Sequence, residues 1–346
     1  MKFLPYVFAV LVAFSCKSNK EESPIQAEES MINRPYTMVF ASCSDQDREQ
    51  PLWQPILQNE PDLFVWGGDN IYADTEDMAK MKRDYDKVWA HPDYKRLAEN
   101  TAITGTWDDH DFGKNDAGTE WGYKEEAKKL MLDFLKVSNE DPRRHRAGVY
   151  TSEVYGDENG SVKLILLDTR SFRDGLKKSE DPDLRYDAWE GDEGGTILGE
   201  AQWKWLELEL EDDTADFTVI VTSIQFLNDR HGWEKWGNHP SEVQKMNELL
   251  EGANAKNILM FSGDRHMAEI SVAEIEGLEY ALVDFTSSGL THTWIDGATE
   301  GNEYRVSNVI KQLNFGVILF DFEKSEVTFE IRGRDNFLYE QYVQQY

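Results

Sequence analysis

Short apolar segments that end in clusters of polar residues constrain the fold of this 346-residue chain most strongly. The segments are rich in β-branched and aromatic side chains and have the length of buried strands. Helical patterns separate the early segments, whereas the late segments follow one another directly. This order predicts a mixed α/β domain with two mixed sheets packed face to face. The predicted strands are residues 37–42, 63–67, 102–106, 162–167, 218–223, 257–262, 269–273, 280–285, 316–322 and 327–332, and the predicted helices are residues 76–90, 121–137, 201–211 and 241–251.

Polar clusters follow five of these strands at the point where each strand ends. Ligand sites of α/β sheets lie beyond the carboxyl ends of the strands, so we expect the clusters to meet at one edge. Each cluster alone also fits an ordinary turn or a solvated loop, because Gly and Asx residues favour turns. The clusters are Cys43-Ser44-Asp45, Gly68-Asp69-Asn70-Ile71-Tyr72-Ala73-Asp74, Trp107-Asp108-Asp109-His110-Asp111, Asp168-Thr169-Arg170-Ser171-Phe172-Arg173 and Gly263-Asp264-Arg265-His266.

The chemistry of the donors in these clusters predicts bound cations. Asp108, Asp109 and Asp111 repel one another, so beside a buried strand they require a cation or sustained solvation. The 66 acidic and 36 basic residues give a net charge of −30, which disfavours a nucleic-acid-binding surface. The thiolate of Cys43 and the phenolate of Tyr72 suit trivalent iron, whereas the carboxylates suit calcium. With seven histidines in the chain, a histidine-rich dizinc site is disfavoured.

Taken together and in this order, the five clusters resemble the PhoD-like (alkaline phosphatase D) family of metallophosphoesterases, over nearly all of the chain after its first 34 residues. The resemblance implies a four-layer α/β/β/α sandwich with a multinuclear centre of iron (Fe³⁺) and calcium (Ca²⁺) at one rim of the sheets. It also implies hydrolysis of phosphate monoesters or diesters. The metal ligands that it implies are Cys43, Asp69 as a bridge between metals, Tyr72, Asp108 or Asp109, and Asp264.

The resemblance implies an attack on phosphorus by a metal-activated water or oxide. His110 is the predicted proton donor or phosphate-orienting group, and His266 in the late cluster is a further predicted catalytic residue. Arg170 is predicted to bind phosphate oxygens in a bidentate manner, with a salt bridge to a carboxylate as the alternative. Neither a Gly-x-Ser-x-Gly motif nor a Walker loop is present, so a serine nucleophile has no support.

The first residues resemble the export signal of a bacterial lipoprotein. Lys2 precedes an apolar run over residues 3–14, and Cys16 is followed by a polar stretch. We expect a signal peptide at 1–15, a tether at 16–34 with a lipid on Cys16 that reaches the outer or cytoplasmic membrane, and a catalytic domain at 35–346. The predicted location is the periplasm or the cell surface, with simple cleavage and secretion as the alternative. Cys43 would then be the only remaining thiol.

Alternative functions remain open at this point. One is a phosphodiesterase or phospholipase D-like activity on the same centre, with Trp121, Trp233, Trp236 and Trp294 around a larger leaving group, although core packing explains tryptophans equally well. Another is a non-catalytic surface lipoprotein that binds glycans, which predicts that the strand-end donors do not converge. A two-carboxylate glycosidase is a weaker third alternative.

Overall fold

The computed structural model describes residues 34–212, 214–295 and 299–346. The predicted signal peptide and all but the last residue of the predicted tether lie outside the described residues. Pro35–Tyr346 form one compact unit. No helix among the described residues has the length and apolar character needed to cross a membrane.

The strands account for every strand predicted from the sequence, with shifts of one or two residues at their ends. They are β1 (Tyr36–Ala41), β2 (Leu63–Gly67), β3 (Ala102–Thr106), β4 (Thr151–Asp157), β5 (Gly160–Leu166), β6 (Lys177–Lys178), β7 (Tyr186–Asp187), β8 (Phe217–Val221), β9 (Ile258–Ser262), β10 (Ala268–Ala273), β11 (Leu282–Ser287), β12 (Phe315–Asp321), β13 (Glu326–Arg332) and β14 (Leu338–Gln345).

The four predicted helices are present, and three shorter helices accompany them within the described part of the chain. The Asp77 carboxylate caps the second helix by accepting from the backbone N–H groups of Ala79 and Lys80, and Pro92 occupies the first turn of the third helix. The helices are α1 (Trp53–Leu57), α2 (Met78–Ala90), α3 (Pro92–Asn100), α4 (Asp109–Phe112), α5 (Lys124–Phe134), α6 (Gly199–Glu211) and α7 (Pro240–Glu251), with 3-10 turns at Pro142–Arg144, Trp236–Asn238 and Arg334–Asn336.

Two six-stranded mixed sheets form the centre of the unit. Their strand orders are β14-β13-β12-β1-β2-β3 and β10-β11-β9-β8-β5-β4. The inner faces share one apolar core, in which the Phe40 ring lies 5.3 Å from Phe261 and the Phe217 ring lies 5.4 Å from Phe320. Successive side chains of a strand point to opposite faces, so Val39 packs on the outer side while Phe40 faces the other sheet. The sheets therefore pack face to face, as predicted.

Helices cover the outer face of each sheet. Trp53 of α1 and Tyr94 of α3 pack against Trp66 of the first sheet, with ring centroids 5.6 and 5.9 Å away. On the second sheet, Trp203 of α6 and Met246 of α7 lie in a core shared with the outward-facing strand residues. These layers form an α/β/β/α sandwich, which confirms the fold class predicted from the sequence.

The carboxyl ends of the parallel strands meet at one edge. Strands β1, β2 and β3 run parallel in the first sheet, and β5, β8, β9 and β11 run parallel in the second. The two edges touch beyond β9, where a side chain on Gly263 would lie 2.6 Å from the Ser42 hydroxyl and 2.8 Å from the Gly67 carbonyl oxygen. The polar clusters of both sheets are thus brought to a common place.

Candidate metal centre

The loops that follow β1, β2 and β9 hold their polar residues in an uncommon backbone conformation. Cys43, Asp69, Asp264 and His266 have φ values of 60°, 50°, 63° and 49°, in the left-handed region. Left-handed non-glycine residues cost roughly 1–3 kcal/mol each and persist where surrounding structure enforces them, often at functional sites. All four are residues that the sequence predicts for the site. Their side chains consequently turn sharply out of the strands toward one another.

Close approach of the β2 and β3 ends places two carboxylate clusters side by side. Gly68 has a φ of 101°, and a Cβ there would lie 2.7 Å from the Cβ of Asp108. Only glycine leaves room for this approach without strain. The result is that Asp69, in the loop after β2, lies beside Asp109 and His110, at the start of α4. The His110 backbone N–H donates to Asp69 Oδ1 at 3.3 Å.

A first group of donors surrounds one oxygen of Asp69. Cys43 Sγ lies 3.6 Å from Asp69 Oδ2, and the Tyr72 hydroxyl donates to the same oxygen at 3.2 Å. His266 Nε2 lies 2.8 Å from the Tyr72 hydroxyl oxygen. Ligand atoms of Cys43, Asp69 and His266 all lie within 4.8 Å of one another, which is close enough for one ion.

Two further groups continue from the first through shared residues. Ligand atoms of Asp69, Asp109 and His110 lie within 4.8 Å of one another, and so do those of Asp108, Asp109 and Asp264. Asp69 belongs to the first two groups and Asp109 to the last two. This overlap fits a multinuclear centre in which carboxylates bridge neighbouring ions.

Asp108 and Asp109 each have one anchored and one free carboxylate oxygen. Asp108 Oδ1 accepts from Arg170 Nε at 2.5 Å and from the Ser223 hydroxyl at 2.6 Å, and Asp109 Oδ2 accepts from the Asp116 backbone N–H at 2.6 Å. Asp108 Oδ2 and Asp109 Oδ1 are buried without a hydrogen-bond partner. Buried oxygens without partners are costly, and a cation would satisfy both. The sequence left open which of the two is a ligand, and the geometry suits both.

Burial and mutual repulsion show how strongly the centre favours a cation. Burial, then the neighbouring aspartates, raise the pKa of Asp264, and burial followed by Asp69 raises the pKa of Cys43 and of Tyr72. Burial likewise raises the pKa of Asp69 well above its usual range, against the opposing charge of His110. A bound cation reverses these penalties, because it stabilises each ligand in its deprotonated form. The donor set of thiol, phenol, imidazole and carboxylates therefore fits metal ions.

His110 provides positive charge at the edge of the centre. Burial lowers its pKa, but the charges of Asp69 and Asp109 and a hydrogen bond that His110 donates to Asp74 outweigh burial and raise the pKa to about 11. The Asp74 carboxylate oxygen lies 2.6 Å from His110 Nδ1. Burial raises the pKa of Asp109, yet the charges of His110 and Arg170 bring it down to about 2. The His110 imidazole thus lies among the carboxylates of Asp69, Asp74 and Asp109 at the edge of the centre.

His292 joins the site although the sequence analysis did not select it. Its ring centroid lies 4.4 Å from that of His266 and 4.8 Å from that of Tyr72. Burial lowers the pKa of His266 to about 3 and that of His292 to about 4, so both imidazoles are neutral near neutral pH. Neutral imidazoles are available as metal ligands or acceptors.

Arg170 is fully buried in an ion-pair network. Its guanidinium contacts Asp108 and also donates to Glu234 Oε2 at 2.6 Å, and Glu234 Oε1 pairs with Arg173 Nε at 2.8 Å. The four side chains are at most 2% exposed. Glu234 lies in the stretch Trp233-Glu234-Lys235-Trp236, but the sequence analysis assigned it no role in the site. The network orients Asp108, and the predicted contact of Arg170 with phosphate stays a prediction.

A small cavity of about 60 Å³ opens beside the donor groups. At roughly 10–15 Å³ per water, it has room for about four to six waters, which is the scale of a small anion. Its lining includes the predicted residues Asp109, His110, Asp264 and His266. The other lining residues are Asn115, Asp116, Arg185, Trp233, Glu234, Arg265 and Trp294.

Comparison with known proteins agrees with this geometry. The family model for PhoD-like phosphatase matches residues 38–330. Alkaline phosphatase D of Bacillus subtilis (strain 168) is 23% identical over 327 residues, a match that includes 79% of this chain and 55% of that protein. The chain thus spans about half the length of this curated relative.

Solved structures show the same fold. A structure of PhoD superimposes with a TM-score of 0.70 at 18% identity, covering 90% of this chain and 70% of that one. A dimetal phosphatase from Danio rerio superimposes with a TM-score of 0.54 at 14% identity, covering 91% of this chain and all of that one. With the family model matching well over half of its length, the chain belongs to the family of PhoD-like phosphatases.

Proposed function

We propose that this chain is a metal-dependent phosphoric ester hydrolase of the alkaline phosphatase D type. The observation that supports the proposal best is the overlap of three donor groups through Asp69 and Asp109, next to a cavity that suits a small anion. When bound, metal ions would neutralise phosphate oxygens and lower the pKa of a water, so that a nucleophile exists near neutral pH.

The protein's own residues would position and protonate the substrate. His110 lines the cavity and would donate a proton or a hydrogen bond to an ester oxygen. The Asp74 carboxylate holds the imidazole in place at 2.6 Å. Arg170 and Ser223 hold Asp108 by one oxygen and leave its second oxygen for a cation. His266 would act within the donor group that it forms with Cys43 and Asp69, where its Nε2 atom lies 2.8 Å from the Tyr72 hydroxyl oxygen.

We further propose that the ions are iron (Fe³⁺) and calcium (Ca²⁺). The sulfur of Cys43 and the hydroxyl of Tyr72 contact the same oxygen of Asp69, at 3.6 and 3.2 Å. Thiolate and phenolate ligands favour trivalent iron. Asp108, Asp109 and Asp264 offer carboxylate oxygens only, which favour a hard cation such as calcium.

Chelation followed by reconstitution tests the proposal. Protein treated with a strong chelator and verified by elemental analysis is expected to lose turnover of a chromogenic phosphate monoester, and added iron and calcium are expected to restore it. Full turnover by the verified metal-free protein would refute the mechanism. A parallel unfolding measurement on the metal-free protein controls for loss of the fold.

A phosphodiesterase activity on the same centre is the second candidate. Trp233 and Trp294 line the cavity and offer contacts to a larger leaving group. Turnover of a chromogenic monoester against its bis-ester separates the two activities. The glycan-binding alternative predicted dispersed donors, whereas Cys43 Sγ and the Tyr72 hydroxyl lie within 3.6 Å of Asp69.

We also propose that the chain is exported and anchored by a lipid on Cys16, to act in the periplasm or at the cell surface. The support is the sequence of residues 1–34 alone. Fractionation of cells that express the full chain or its Cys16→Ser variant tests this: the lipid anchor predicts that only the former sediments with membranes. Equal distribution of the two would remove the lipid from the proposal.

A further inference from the structure

The side chains that line the cavity beside the donor groups range from buried to exposed. Asp109 is 3% exposed and Arg265 is 5% exposed, and these buried lining residues define what we call the closed end. Arg185, with its side chain 45% exposed, and Trp294, 42% exposed, lie at the open end. An ester whose phosphorus lies against the donors therefore directs its alcohol group toward the open end.

Two tryptophans, Trp233 and Trp294, form an aromatic rim at this open end. Their ring centroids lie 4.6 Å apart at an interplanar angle of 64°. The Trp294 ring also lies 5.4 Å from the His266 ring at 84°, and its backbone N–H donates to the His266 carbonyl oxygen at 3.2 Å. The aromatic rim consequently contacts the loop that contains His266, a predicted site residue.

The aromatic rim offers an open surface to a planar group. Both ring neighbours of Trp294 stand nearly edge-on to it, and no stacked ring partner of Trp294 occurs among the described residues. A large aromatic side chain that is 42% exposed leaves apolar surface uncovered next to a polar centre. Aromatic rings prefer offset-stacked or edge-to-face partners, so a planar aromatic guest gains more here than a saturated one.

The charged side chains at the open end do not form a binding site for a second anionic group of the substrate. The Arg185 guanidinium is already paired with the Asp116 carboxylate, and it lies 5.9 Å from the Trp233 ring centroid. The net charge of −30 disfavours long polyanions as substrates. The open end thus suits an uncharged alcohol group of modest size.

We infer that this site, on the basis of the proposed function, selects esters of small alcohols that carry a planar aromatic group. Trp294 and Trp233 are the specificity-determining contacts for that group. The phosphate lies in the cavity of about 60 Å³, and the aromatic group lies against the aromatic rim.

A matched pair of substrates isolates this effect. Benzyl phosphate and cyclohexylmethyl phosphate have the same charge, the same CH₂–O linkage and a similar size, and they differ chiefly in the planarity of the ring. The inference predicts that kcat/KM is about three- to tenfold higher for the benzyl ester, the factor expected of one aromatic pair contact. Benzylphosphonate and cyclohexylmethylphosphonate, which cannot be hydrolysed, provide the same comparison as dissociation constants.

Variants assign the preference to the aromatic rim. Two ratios of benzyl to cyclohexylmethyl compound are compared, that of kcat/KM for the esters and that of affinity for the phosphonates. Trp294→Leu is expected to bring both ratios close to one, with metal content unchanged, while Trp294→Phe keeps part of the preference. Phe337→Leu is the control, because Phe337 is 62% exposed and contacts Tyr339 rather than the cavity. This control is expected to leave both ratios as in the original chain.

The outcomes separate the inference from the function on which it depends. If both esters are hydrolysed equally well, or if Trp294→Leu keeps the benzyl preference, the inference is overturned and the proposed function stands. A preference for the cyclohexylmethyl ester overturns it in favour of a purely apolar contact. If neither ester is hydrolysed by metal-loaded protein, the proposed function fails, and the phosphonate constants decide separately whether the aromatic rim selects planar groups.

Discussion

The ion-pair network behind Asp108 makes a quantitative prediction for Glu234→Gln. Glu234 and its two arginine partners are at most 2% exposed, with pair distances of 2.6 and 2.8 Å. The substitution keeps the shape of the side chain but removes its negative charge. Of the network's two carboxylates, only that of Asp108 then remains to balance the two guanidinium groups of Arg170 and Arg173. Removing one partner of a buried pair costs about 3–5 kcal/mol, because the remaining charge stays buried. We expect a loss of that size in the free energy of unfolding.

Urea unfolding followed by tryptophan fluorescence measures this loss, and Glu303→Gln serves as its matched control. Glu303 also pairs with an arginine, Arg230, at 2.5 Å, but both side chains are more than half exposed. Exposed pairs contribute about 0–1 kcal/mol, so the control is expected to change stability by no more than that. A loss below about 1 kcal/mol for Glu234→Gln, equal to the control, would refute the view that this network is an essential support of Asp108.

Three further predictions concern the centre and the core. Asp69→Asn removes a ligand shared by two donor groups, so turnover and metal affinity are each expected to fall more than the 10–100-fold typical of outer-shell changes; retained metal would contradict the assignment. In iron-loaded protein, Tyr72→Phe is expected to abolish a visible absorption band, and an unchanged spectrum would exclude the phenolate ligand. Burial raises the pKa of Asp284 to about 6 against hydrogen bonds from Leu227, Ser262 and Phe226. A raised carboxyl pKa means that the folded state loses stability as pH rises from about 4 to 6, by about 3 kcal/mol at roughly 1.36 kcal/mol per pH unit. The difference in the free energy of unfolding between Asp284→Asn and the original chain, measured in urea, is therefore expected to shift by that amount in favour of the variant from pH 4 to pH 7.5. The same difference at both pH values would contradict this prediction.

Within the two six-stranded sheets, the strands that the sequence analysis missed are β4 and β14, and both lie at a sheet edge. β14 ends the order of one sheet and β4 ends the order of the other, and both expose many of their residues. The apolar pattern that reveals a strand comes from burial, and β4 and β14 are mostly exposed or half-buried, unlike the buried edge strand β10. α3 was missed for a different reason: it begins at Pro92, directly after α2, and proline predicts the end of a helix as readily as the start of one.

The donor clusters could be predicted because each follows a buried strand whose direction the apolar pattern reveals. The predicted donors indeed lie together in the structure. They are Cys43, Asp69, Tyr72, Asp108, Asp109, His110, Asp264 and His266. The direction of a long side chain cannot be predicted in this way. Arg170 follows β5 as expected, yet its partners Asp108 and Glu234 are 62 and 64 residues away in the chain. His292 lies in a loop without a motif, so its contacts with His266 and Tyr72 in the structure identify it.

Elemental analysis of purified protein, paired with turnover of a phosphate ester, tests the central claim most directly. If three overlapping donor groups form one centre, the active protein contains at least two metal ions per chain, and Asp69→Asn loses metal and turnover together. Full turnover by protein with less than one metal ion per chain would contradict the account.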